Sequence, residues 1–260
     1  MAQIIRSAKS GSDWGTNELL AFNIRIEDKT DAQFFGQPLP ANVNISSIVL
    51  NHLDEPQNAT KSESDFFAYL EDAMTIPPNE ESFVADFAVQ VLKLMGFDAG
   101  RRVIHTRKEI SFEMCGQRVD AKMDVCVMER GPGGRFLLLV QEDKRHLSPA
   151  DPEPQLVAEA IAAFSYNNNA RRQGGLQPLH DAVVPGITMV GSAPVFYKIP
   201  VTQDLLTAII TAQYPQDAIV VERFFPPVNN RIAYVYEGMK PLDNRLIVLK
   251  TFEAFKQLLP

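Results

Sequence analysis

Asp124–Lys144 reads DVCVMERGPGGRFLLLVQEDK, and the way this stretch folds decides how the rest of the chain is assembled. Asp124 opens one apolar run, Gly131-Pro132-Gly133-Gly134 supplies turn residues, and a second apolar run ends in Glu142-Asp143-Lys144. Two strand-like runs joined by Gly and Pro predict a hairpin. Folded about Pro132-Gly133, it brings Asp124 opposite residues 140–142. Alternation puts Phe136, Leu138, Val140, Glu142 and Lys144 on one face and Leu137, Leu139, Gln141 and Asp143 on the other. Both faces stay apolar until the end, the pattern of a strand covered by helices on both sides. Carboxylates and an ammonium at the edge of such a dry core are costly unless something partners them.

Working outward, Glu80–Phe97 carries apolar residues at 84, 87, 88, 91, 92 and 95, which is helical spacing, with Asn79 as N-cap and Gly96 near the end. Strand-like segments follow at Arg102–Thr106, Ile110–Met114, Arg118–Met128 and Arg135–Glu142. Pro154–Ala170 reads as a second helix ending in Asn167-Asn168-Asn169 and Arg171-Arg172. Beyond it, Ile187–Val190 and Val195–Ile199 read as paired strands and Leu205–Ala212 as a short helix. Ile219–Phe225 with Ile232–Tyr236 reads as another hairpin, and Leu246–Leu259 as a strand followed by a terminal helix. This order predicts one α/β domain over residues 79–260, a mixed sheet flanked by helices. Residues 1–78 contain a strand-like Leu19–Ile26 and a short helix near Ser64–Ala73, separated by Pro- and Asn-rich connections. They read as an N-terminal extension packed on that core, being too rich in apolar residues for disorder. Covering the sheet, gating a pocket and mediating a homodimer are all open to it.

Composition narrows the function. The chain has 260 residues, 45% of them hydrophobic and 22% charged, with no run long enough to span a membrane and no secretory apolar segment near Met1. No membrane partner is expected. Two cysteines, Cys115 and Cys126, make no disulfide framework and no zinc spacing, so the expected setting is intracellular, cytoplasm or nucleus. The net charge of −7 excludes a protein built to coat a duplex, because such binding relies on Lys and Arg neutralising phosphates. A nucleic-acid substrate would have to meet a local basic patch. Arg102, Arg107 and Lys108 around the first strand, with Arg145 after the second, are the residues that offer one.

The carboxylates suggest hard-metal chemistry. Asp124 and Glu142 are oxygen ligands suited to Mg²⁺ or Mn²⁺, the carbonyl of Asp143 is a third, and Lys144 is a cation able to orient water or stabilise charge on a phosphate. The Glu-x-Lys triplet alone decides little: composition gives roughly one or two acid-x-Lys triplets by chance, and the chain has three, the others at Glu27 and Asp120. Only the one at Glu142 combines an apolar strand, a hairpin partner bearing Asp, and a following helix.

In that combination the chain resembles the PD-(D/E)XK nuclease superfamily, the restriction-endonuclease-like fold, over about residues 79–200. The matching features are the helix over 80–97, the strand with Asp124, the strand ending Glu142-Asp143-Lys144, and the helix over 154–170. The resemblance implies a helix, a three-strand meander, a helix and a fourth strand, and Mg²⁺-dependent phosphodiester hydrolysis of DNA or RNA. It places Asp124, Glu142 and Lys144 in the site, adds Glu81 from the first helix and Gln155 from the second, and makes Asp124, Glu142 and Asp143 the metal ligands. Glu80 competes with Glu81, Glu159 shares a face with Gln155, and Asp120 rivals Asp124. Met123 stands where the family name has Pro. The alternative is a catalytically inactive module of the same fold that acts by binding.

Overall fold

The computed structural model describes residues 6–75, 82–131, 134–142 and 151–259. Among them the helices are α1 (Thr16–Ala21), α2 (Asp31–Phe35), α3 (Ser47–Asn51), α4 (Lys61–Met74), α5 (Ser82–Leu94), α6 (Pro152–Gln173), α7 (Gln203–Ile210), α8 (Arg231–Glu237) and α9 (Leu242–Lys256). The strands are β1 (Ile24–Asp28), β2 (Arg102–Met114), β3 (Gln117–Glu129), β4 (Arg135–Glu142), β5 (Asp181–Val190), β6 (Ala193–Thr202) and β7 (Ile219–Phe224). The strands form one mixed sheet in the order β1-β7-β6-β5-β4-β3-β2. Pairing is antiparallel except for β1 with β7 and β4 with β5.

The β4–α6–β5 segment organises the domain. A parallel pair needs a crossover, and α6 provides it. Asp151 caps its start by accepting from the Glu153 N–H at 3.1 Å, Pro152 occupies the first turn, and Arg171 and Arg172 lie in the last. The stretch Leu156–Phe164 is buried throughout, so this helix is apolar nearly all round. One core fills the space between the sheet and α1, α6 and α7; the other lies on the opposite face, under α2–α5, α8 and α9.

Several elements differ from the sequence reading, each for a local reason. Ile232–Tyr236 is helical: the Asn230 side chain accepts from the N–H groups of Ile232 and Ala233 at 3.1 Å each, which starts α8. The partners of β7 are instead β6 and β1. Leu246–Leu259 holds no strand; Leu242–Lys256 is one helix that buries Val248, Leu249, Phe252 and Phe255 on helical spacing. Leu19–Ala21 belongs to α1, and the strand begins at Ile24, after Asn23 turns the chain in a left-handed conformation (φ 53°). Residues 6–75 thus place β1 at one edge of the sheet itself.

The two strand-like segments at 102–106 and 110–114 form a single strand, β2, with Arg107 in its middle at φ 53°. The register with β3 is unchanged across it, Thr106 facing Val125 and Lys108 facing Met123. The alternation slips nonetheless. Ala121 and Met123 lie on the α6 face, and so do Cys126 and Met128, while Val125 and Val127 lie on the α5 face. Asp124 sits at that slip, level with Arg107. Beyond it the β2–β3 arm leans onto α6 and α7, where the Cys115 N–H donates to the Ile209 carbonyl at 2.8 Å.

Candidate functional site

The β3–β4 ladder ends with Val125 beside Val140, and one step further Asp124 meets Gln141. The Gln141 amide donates to Asp124 Oδ2 at 2.8 Å. Gln155, in the first turns of α6, donates to Gln141 Oε1 at 3.1 Å and to Glu159 Oε1 at 3.2 Å. Two carboxylates are thereby linked through two amides on the α6 face of the sheet. Gln141 is buried, Asp124 and Gln155 are half-buried, and Glu159 is fully enclosed. Glu159 Oε2 has no hydrogen-bond partner among the described residues. Burial, reinforced by the negative charge of Asp124, pushes the Glu159 carboxyl well above its ordinary value.

The location has a topological reason. β4 and β5 run parallel, with Gln141 beside Thr188 and Glu142 beside Met189. Their carboxyl ends, met by the start of α6, form the kind of crevice in which open α/β sheets place ligands. A second polar chain adjoins it. Tyr197 OH lies 3.2 Å from Thr188 Oγ1 and donates to Glu153 Oε1 at 2.8 Å, while Arg223 donates to the same oxygen at 2.7 Å and to Asp28 at 2.6 Å. Burial alone would raise the Asp28 carboxyl; Arg223, seconded by Arg231, outweighs it and holds the group below its usual range. A crevice of about 180 Å³ opens beside Glu153, Tyr197 and Arg223.

The expected site residues divide as follows. Asp124 and Gln155 come together, bridged by Gln141. Glu142 is the last residue of β4, at the same sheet end. Glu81, Asp143, Lys144 and Arg145 lie outside the described residues, as does Glu80. Arg107 and Lys108 stand on β2 level with Asp124, whereas Arg102 pairs with Glu129 at the far end of that ladder. Asp120 is exposed on the outer arm and accepts from Ser111 at 2.7 Å. Burial pushes the Cys126 thiol up to about 12, as suits a structural cysteine and not a nucleophile.

Gln141 is absent from the expected set, and Glu159 enters it only as a residue that shares a face with Gln155. The spacing of Gln155 and Glu159, four apart on α6, was the available signal for the second. For Gln141 it was the register count from the turn, which allowed residues 140–142 and so left the choice among three neighbours open.

The oxygens open to a hard cation here are those of the Asp124 and Glu159 carboxylates, Glu159 Oε2 being buried without a hydrogen-bond partner among the described residues, while both amides turn N–H groups toward the acids. Among the described residues no cluster of three or more His, Cys, Asp or Glu forms a complete ligand set. None of the helices there is long and apolar enough to cross a membrane. No protein-family model matches the chain, and no curated protein matches it significantly.

Proposed function

We propose that the Asp124 end of the sheet is a cation-dependent site of phosphodiester hydrolysis on DNA or RNA, in a domain of restriction-endonuclease-like fold. The observation that carries this reading is the enclosed Glu159 carboxylate, one oxygen without a hydrogen-bond partner among the described residues, close enough to feel the charge of Asp124. Two acids sharing a dry place require either a proton or a cation between them. The order α5, the β2–β3–β4 meander, α6 and then β5 alongside β4 supports the finer fold assignment.

In this reading Asp124 and Glu159 hold Mg²⁺ or Mn²⁺, with Glu142 and the Asp143 carbonyl completing the set. A divalent cation there supplies charge neutralisation at the phosphate and a water of lowered pKa. Gln141 and Gln155 fix the carboxylates and keep them from swinging apart, the orienting role that partners of metal ligands play. Lys144 and Glu81 orient the attacking water, and Arg107, Lys108 and Arg145 take the phosphates on either side. Arg102, at the far end of β2, contributes only to a longer substrate track.

A second reading is favoured by one specific feature: an amide, Gln141, stands directly across from Asp124 where a metal centre would gain from a third carboxylate. In a silent binding module of the same fold, a proton on Glu159 replaces the cation. The net charge of −7 also suits a protein that does not grip nucleic acid strongly.

Titrating Mn²⁺ into the chain by calorimetry, alongside cleavage assays on plasmid and single-stranded substrates, separates the two. The hydrolase reading expects divalent-dependent cleavage abolished by Asp124→Ala, and about 10–100-fold loss of activity or Mn²⁺ affinity in Gln155→Ala. Absence of both Mn²⁺ binding and cleavage at high protein concentration overturns it and leaves the silent module.

A further inference from the structure

At the opposite end of α6 the sheet itself is open. β4 and β5 pair only from Leu139 with Gly186 onward, so Arg135–Leu138 and Ala182–Pro185 are not joined to each other. Two consecutive asparagines hold the gap in shape. Asn167 accepts from the Phe136 N–H at 2.8 Å and donates to the Phe136 carbonyl at 3.0 Å, standing in for a neighbouring strand. Asn168, itself buried, does the same for Leu179, accepting from its N–H at 2.8 Å and donating to its carbonyl at 3.0 Å. Between these walls is a cavity of about 400 Å³, in the size range of small-molecule sites. Val183 is 57% exposed there although β5 is the middle strand of the sheet.

The lining is chemically two-sided. Phe136, Leu137, Phe164 and Leu258 make apolar walls, and four guanidinium groups, Arg101, Arg130, Arg135 and Arg171, stand around them. The one acidic residue among the described lining, Glu129, is engaged by Arg135 at 2.7 Å. In a chain of net charge −7 this is a local reversal of sign. Arginine geometry also narrows the choice. Arg101 donates to the Arg130 carbonyl at 2.8 Å, and Arg171 donates through Nε to the Gln177 carbonyl at 2.8 Å. Arg171 is thus anchored through Nε with both terminal nitrogens left over, and Arg101, anchored through one terminal nitrogen, keeps its other N–H groups for a carboxylate or phosphate.

We propose that this cavity is a binding site for a small amphipathic anion, a carboxylate or phosphate monoester on a hydrocarbon body, with the chain against Phe136, Leu137, Phe164 and Leu258 and the head among the arginines. It is independent of any chemistry at Asp124. Apolar walls gain from excluding water. An uncharged hydrocarbon would leave the guanidinium rim unused, and a bare inorganic anion would leave the walls wet.

Calorimetric titration of the full chain at low ionic strength tests this, using decanoate, decyl phosphate, decanol and inorganic phosphate below their micellar concentrations. Decanoate and decyl phosphate are expected to saturate one site, decanol to bind at least tenfold more weakly, and inorganic phosphate not to saturate. The tighter of the two anions assigns the headgroup. Arg130→Ala is expected to weaken the anions three- to tenfold while leaving decanol unchanged. Val183→Glu, a change at an exposed position, is expected to weaken them by tenfold or more. Equal binding of decanol and decanoate, unchanged anion affinity in both variants, or no saturation by any probe overturns the assignment.

Discussion

The two ends of α6 present opposite solutions to the same problem. At its start, Asp124, Gln141, Gln155 and Glu159 are drawn into a closed polar chain in a dry setting, with acids near the helix N-terminus. At its end, Asn167 and Asn168 keep two strands and a loop apart, and arginines gather around the space that results. Amides are the common tool. Glutamines link side chains and pull groups together; asparagines satisfy backbone groups and let a gap persist. The comparison teaches that what the amides bond to, side chains at one end and backbone at the other, separates a linked end from an open one.

The comparison is best broken in the middle. Ile161 is fully buried halfway along α6, and Ile161→Ala is expected to cost about 2–5 kcal/mol, measured by urea denaturation, with both ends losing order together. Asn167→Ala should act on the open end alone. It strips the Phe136 N–H and carbonyl of their partner, costs roughly 1–3 kcal/mol, and changes decanoate affinity while leaving Mn²⁺ binding intact.

Glu159→Gln sharpens the sealed end. Burial and Asp124 raise this carboxyl above its ordinary 4.5, so in metal-free protein the folded state keeps a proton that the unfolded chain releases. Its contribution is therefore complete below the unfolded value and lost as pH climbs toward the folded one, by up to about 1.4 kcal/mol per pH unit. The amide cannot titrate. In EDTA the variant is expected to show a flatter stability–pH curve and a higher denaturation midpoint at pH 7 than the native chain. The smallest effect belongs to Arg130→Ala, within about 0.5 kcal/mol by thermal unfolding, since its exposed side chain acts on ligand and not on the fold.

Much of the frame was legible because its signals are local. The turn at Gly131–Gly134 and the apolar runs on either side predicted β3 and β4, and the unbroken Leu156–Phe164 burial follows from a stretch with hardly a polar residue. Where local preference and tertiary context conflict, reading failed. Leu246–Val248 and Tyr234–Tyr236 carry residues that favour strands, yet a cap at Asn230 and burial on helical spacing in α9 made both helical. The position of Asp124 opposite residues 140–142 was legible from the hairpin. Its neighbour Gln141 was not, since a one-residue change of register alters which side chain faces it. The slip in alternation at Asp124, level with the left-handed Arg107, leaves no mark in hydrophobic patterning at all.

The edge strand β1 lies beside β7, joining Ile24 to Ile219 and Asp28 to Arg223. During synthesis at about 5–20 residues per second, the first of these strands waits roughly 10–40 s for the second to be made. Until then Ile24 and Ile26 have no β7 to lie beside. Closure of that edge is a late event in the birth of the molecule, set by strand order alone.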